Sequence, residues 1–148
     1  MLDDLYAGPL LEAAGAIPEA RALPDADATA RRASKVCGST VELDLSLRDG
    51  AVADVAARVQ ACALGQAAVT FFDRSVRGAA PGEVRAARDA VAEMLRTGAL
   101  PGLLAEGRWA ELAKLQPVAG YPARHASVML VFDAAVAVLD EIAARAAR

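Results

Sequence analysis

The sequence predicts an α+β domain in which a three-stranded antiparallel sheet carries helices on one face. Two alternating apolar and polar runs flank Asp49-Gly50, which is the signature of a hairpin. Directly after Cys62 the apolar spacing changes from two to the helical 3.6, and further helical runs follow to the end of the chain. An order of strands first and helices afterwards places the helices together against the sheet.

Leu2 to Ala16 reads as a short helix, interrupted at Gly8-Pro9, with Leu2, Leu5, Tyr6, Leu10 and Ala13 near one face. Ile17 to Ala28 contains Pro18 and Pro24 without periodicity and is a connecting loop. A weaker strand around Thr29 to Ser34 completes the sheet. In Thr40 to Arg48, Val41, Leu43, Leu45 and Leu47 alternate with Glu42, Asp44, Ser46 and Arg48, giving one buried and one wet face. Val52 to Ala61 returns with Val55, Ala57, Val59 and Ala61 at period two.

Ala63 to Arg77 is helical on Leu64, Ala67, Ala68, Phe71 and Phe72, and Gly78 ends it. Pro81 and Glu83 open a helix that runs to Thr97 and stops at Gly98. Its buried stripe is Val84, Ala87, Val91, Met94 and Leu95, while Glu83, Asp89 and Glu93 form a solvated face. Gly107 to Leu115 holds a short helix around Trp109 and Leu112, closed by Pro117. The last helix begins near Pro122 or Ala123 and continues on Val128, Leu130, Val131, Ala135, Val138, Leu139 and Ile142. No repeat or composition shift divides the chain, so residues 1–148 are expected to form one domain.

Composition restricts the function. The 148 residues are 55% hydrophobic but only 4% aromatic, so Leu, Val and Ala must build a core of closely packed helices. A net charge of −3 with scattered arginines argues against nucleic acid as a partner. No run approaches the ~20 apolar residues of a membrane helix. The opening Met-Leu-Asp-Asp lacks the basic start of a secretory leader. A cytoplasmic protein is expected, in which the two cysteines are free thiols or metal ligands.

Those cysteines carry the chemistry. Cys37 reads as opening a strand, with Gly38 allowing close approach and Lys35 supplying positive charge. Cys62 falls at the first cap of a helix, whose N–H groups and dipole favour a thiolate. The hairpin between them would bring both sulfurs to one end of the sheet. His125, the sole histidine, should lie at that end as a candidate metal ligand, with Arg124 beside it to meet an anion or thiolate. Phosphate loops, zinc-type histidine pairs and serine-nucleophile elbows are absent from the sequence.

Val36-Cys37-Gly38-Ser39, Ala61-Cys62-Ala63 and Asp4-Leu5-Tyr6 together resemble the NifU/IscU/SufU family of iron–sulfur cluster scaffolds. Family members place Cys-Gly-Asp before a hairpin, Gly-Cys-Ala at a helix start, and a basic residue then Cys at the start of the C-terminal helix. Here Ser39 replaces the aspartate. Ser127 stands at the third cysteine when Pro122, Arg124, Leu130 and Asp133-Ala134 are aligned, and Ala126 does when His125 is the anchor. Gly65 and Ala68 replace two serines of the family's helix, and residues about 97–120 resemble the insertion of the SufU branch.

The resemblance implies a three-stranded sheet with helices on one face and a scaffold, rather than an enzyme, served by a cysteine desulfurase and other assembly proteins. It implies iron, a labile cluster or persulfide sulfur held on Cys37 and Cys62, with Cys37 as candidate persulfide acceptor. Zinc on Cys37, Cys62 and His125 is an alternative, and so is a docking or regulatory module for the desulfurase. Because Ser39 and Ser127 hydroxyls are poor ligands, four thiolates would require a homodimer.

Overall fold

The computed structural model describes Leu5 and residues 8–148, and within them the expected α+β architecture is found. Leu2, Asp4 and Tyr6 of the expected first helix lie outside the described residues. Its second half forms α1, Pro9–Gly15, which opens after Gly8 at φ +60° and buries Leu10, Ala13 and Ala14. Leu5 is also buried.

The sheet has the order β1 (Ala28–Ala33), β2 (Thr40–Arg48), β3 (Ala51–Gln60), with both pairings antiparallel. Asp49 (φ +54°) and Gly50 (φ +77°) make the two-residue turn between β2 and β3. Positive φ at both positions matches the hairpin twist, and Asp and Gly tolerate it. A bulge between Ser46 and Leu47 shifts the register next to this turn.

Val41, Leu43 and Leu45 face the core as the alternation requires. The opposite face is not uniformly wet: Asp44 is 3% exposed. The segment before β1 folds across it, and the Leu23 N–H, the Thr29 hydroxyl and the Arg58 guanidinium all donate to its carboxylate. Period two identifies a side chain's face of the sheet but is blind to a loop that covers that face.

Helices α2 (Ala63–Val76), α3 (Pro81–Thr97) and α4 (His125–Ala146) form the second layer. Pro81 opens α3, the Ala80 N–H donates to Glu83 Oε1 at 2.9 Å, and Gly98 at φ +80° closes the helix through its N–H to Met94 O. α4 packs on β1 and β2, and α2 and α3 pack on α4. Phe72 of α2 and Phe132 of α4 meet edge to face at 5.8 Å.

The stretch between α3 and α4 corrects one expectation. A 3₁₀-helix runs over Ala110–Gly120 straight through Pro117, in place of a short helix closed by that proline. Trp109, Leu112, Leu115 and Val118 are all buried, and their spacing is three, the period at which 3₁₀ side chains stack on one face. No helix among the described residues is long and apolar enough to cross a membrane.

Candidate functional site

Strand pairing brings the two cysteines to one end of the sheet. Thr40 opposes Gln60, so the turn before β2 and the exit from β3 are neighbours. Cys37 lies in that turn and Cys62 just beyond that exit.

Cys37 sits on the β1–β2 turn rather than opening a strand. The Ser34 N–H donates to Ser39 O at 2.8 Å, and the Gly38 N–H donates to Ser34 O at 2.9 Å. Gly38 takes φ +72°, which a side chain would resist. The cysteine is exposed between two buried serines, Ser34 and Ser39. Its thiol donates to Ser39 Oγ at 3.0 Å, and in the thiolate form the hydroxyl reverses and donates to sulfur.

Hydrogen bonding to Ser34 first, then to the Ser39 hydroxyl and backbone, brings the Cys37 thiol down to about 7, with the Arg124 charge adding to the effect. Slight burial opposes them. A thiol at that value is substantially ionised at neutral pH while remaining open to a reactant. Ser34 is the contributor that sequence reading missed. The available signal was a serine at the end of a strand, which here accepts the Val36 N–H at 3.3 Å in a local turn.

Cys62 is the N-cap residue of α2, in extended backbone, but its side chain does not cap the helix. Its sulfur points across to α4 and lies 3.3 Å from Ser127 Oγ. Ser127 is 3% exposed, while Cys62 is half-buried, so the pair lies at the margin where α2 and α4 touch. Gly65 makes the approach possible: a Cβ there would stand 2.6 Å from Ser127 Oγ and 2.8 Å from Ala61 Cβ. Each cysteine is therefore paired with a serine that stands where the family resemblance expects a ligand.

His125 begins α4 but turns back. Its Nε2 lies 2.9 Å from Val118 O and 3.2 Å from Ala119 O, so that nitrogen donates and ties the ring to the preceding 3₁₀-helix. Among the described residues, no three His, Cys, Asp or Glu side chains converge to hold a metal. Two thiols and two hydroxyls in one chain do not fit the four-donor demand of a tightly held cluster or a structural zinc, because a hydroxyl keeps its proton at neutral pH.

Comparison with solved structures gives an independent view. The chain superposes with TM-score 0.88 on the crystal structure of a nitrogen-fixing NifU-like protein (N-terminal) from Brucella abortus, with 45% identity over 95% of this chain and 96% of that one. A protein from the thermophile Fervidobacterium islandicum AW-1, proposed as an iron–sulfur cluster assembly scaffold for the SUF system, matches with TM-score 0.82 and 16% identity over 92% of this chain and 97% of that one. At that identity the second likeness speaks for the fold alone. No protein-family model and no curated protein matches the chain. The site's place in the fold, the near-complete overlap and the 45% identity together make the chain a member of the NifU/IscU/SufU-like family of iron–sulfur assembly scaffolds.

Proposed function

We propose that this protein is a sulfur-holding carrier in iron–sulfur assembly, with Cys37 as the persulfide acceptor and Cys62 as the second, half-buried thiol. The exposed Cys37 turn carries this reading: hydrogen bonds from the Ser34 and Ser39 hydroxyls and the Ser39 backbone bring the thiol down to about 7, and the Arg124 charge adds a smaller effect. The Cys37 thiolate attacks the outer sulfur of a donor persulfide. Its electron pair forms the new S–S bond, the donor's S–S bond breaks, and the donor cysteine leaves as a thiolate. The proton on the transferred sulfur stays with it, so Cys37 ends as a persulfide and no oxidant or reductant is consumed.

The residues' role is to hold and to stabilise. Ser34 and Ser39 steady the sulfur anion before attack, and Arg124 supplies positive charge beside it. In this reading iron and the cluster are the cargo that consumes this sulfur, which family membership supports. The described residues of a single chain bring together too few donors to retain that cargo tightly, so the carrier role favours sulfur over metal.

The test is loading by a persulfide-charged cysteine desulfurase, read by mass spectrometry of the cysteine peptides. One added sulfur is expected on the Cys37 peptide, lost in Cys37→Ser and retained in Cys62→Ser. Loading of Cys62 alone would reverse the assignment. A protein that takes no sulfur on either cysteine but still binds the desulfurase would be a docking module instead.

A further inference from the structure

β3 is an edge strand whose outer side is closed over only part of its length. At its start the Val52 N–H donates to Ala79 O and the Gly78 N–H donates to Val52 O, both at 2.8 Å. Val55 O then accepts from Arg21 Nη2 at 3.0 Å and from Arg77 Nη2 at 3.5 Å. Antiparallel pairing turns alternate residues of a strand away from its neighbour, so Ala57 and Val59 also direct N–H and C=O away from β2. Neither has a hydrogen bond on that side among the described residues, and both are half-buried. Backbone groups in that state need water or a ligand as a partner.

They open onto a cleft between β3, α2 and the segment after α1, about 490 Å³ counted to its mouth. That is the size class of small-molecule sites. Its floor is apolar: Leu43, Val55, Val69 and Phe72 are all buried. Its rim carries Glu19, Arg21, Asp73 and Arg77. Arg77 is occupied, because each of its guanidinium nitrogens is bonded to Asp54, Asp73 or the Val55 carbonyl. Arg21 reaches Asp54 and Val55 O through Nη2 alone, so its Nε and Nη1 have no partner among the described residues. Glu19 is exposed and forms no ion pair among them.

We propose that this cleft binds a free α-amino acid with an aliphatic side chain. The carboxylate meets Arg21 and the Ala57 N–H, the ammonium meets Glu19 and the Ala57 C=O, and the side chain covers the apolar floor. Such a ligand stands in for one residue of an added strand, since its two charged groups offer the acceptor and the donors that a paired residue's C=O and N–H offer. A simple carboxylate would approach Glu19 as a like charge, and a simple amine would approach Arg21 as one. Neither cysteine lines the cleft, so the site stands apart from the sulfur reading.

The experiment titrates the isotope-labelled full-length protein with L-leucine and follows backbone amides by NMR. Isocaproate, isoamylamine and N-acetyl-L-leucinamide run in parallel; they lack the ammonium, the carboxylate and both charges, respectively. L-Leucine should shift the Arg21, Ala57 and Val59 amides saturably, and each of the other probes should bind at least about tenfold more weakly. Arg21→Gln should weaken leucine binding roughly tenfold. Val59→Phe, which enlarges a side chain lining the cleft, should abolish it. Circular dichroism checks that both variants fold, and the probe series on the wild type decides the question if one does not.

Absence of saturable shifts with L-leucine would overturn the proposal. Equal binding of isocaproate or isoamylamine would overturn it too, because the cleft would then not recognise the amino-acid group. Tighter binding of N-acetyl-L-leucinamide would overturn it in favour of an extended peptide from a partner protein.

Discussion

At the scale of single residues, the two cysteines have different surroundings and should behave differently. Cys37 is exposed and its thiol is held down at about 7, so its thiolate predominates above that pH and is lost below it. Alkylation of Cys37, followed by mass spectrometry from about pH 5 to about pH 10, should show a midpoint near 7 instead of the free-thiol value of about 8.5. Ser34→Ala and Ser39→Ala should each move the midpoint upward, because each removes a hydrogen bond to the anion. A midpoint unchanged in both variants would refute the hydrogen-bond origin. Cys62 offers a packing test. Gly65→Ala places a methyl 2.6 Å from Ser127 Oγ and should cost about 1–3 kcal/mol in chemical denaturation. Adding Ser127→Ala should recover part of that cost, because the closest contact is gone while the contact at Ala61 remains. Both cysteines and Ser127 were legible in the sequence because their local contexts matched a family pattern. The contribution of Ser34 was not, because its effect on a sulfur three residues away depends on how the turn closes.

At the scale of elements, the strands and long helices were legible because each has a period and local stop signals. β2 is Thr40–Arg48 in both sequence and structure, and α3 runs from Pro81 to Thr97 with Gly98 in the left-handed conformation expected of a helix stop. The 3₁₀-helix was written in the sequence too, at a period of three that a search for 3.6 passes over. Asp44 was hidden for another reason: its cover comes from a segment about twenty residues earlier, which no local pattern encodes. That carboxylate is held at about 2, chiefly by the Arg58 guanidinium and then by the Leu23 N–H and the Thr29 hydroxyl. Its side chain is 5% exposed, and that of Arg58 is 31% exposed. Arg58→Met should therefore destabilise the fold by about 3 kcal/mol, the lower end for breaking a buried pair. The depressed carboxyl contributes stability that is fully present above about pH 4 and disappears as pH falls toward 2. Between about pH 5 and about pH 2, the wild type should lose stability more steeply than Asp44→Asn in urea titrations. Parallel acid profiles for the two proteins would show that Asp44 does not set that slope.

At the scale of the whole molecule, the number of donors decides how cargo can be held. One chain brings two sulfurs to the same end of the sheet, pairs each with a serine, and ties its only histidine to backbone carbonyls. Four thiolates for a [2Fe–2S] core therefore require two chains. Cluster and dimer should consequently form together. Anaerobic reconstitution with iron, cysteine and a desulfurase should leave the monomer fraction colourless in size exclusion, with any visible absorbance eluting at dimer size. Iron should approach one atom per chain in that fraction, and either Cys37→Ala or Cys62→Ala should abolish both the colour and the dimer. A coloured monomer with two irons per chain would overturn this account, because it would need ligands that the described residues do not bring together. Ser127→Cys separates the two cases further. A thiol placed where a hydroxyl now lies 3.3 Å from Cys62 adds a donor without adding a chain, so it should shift retained iron toward the monomer.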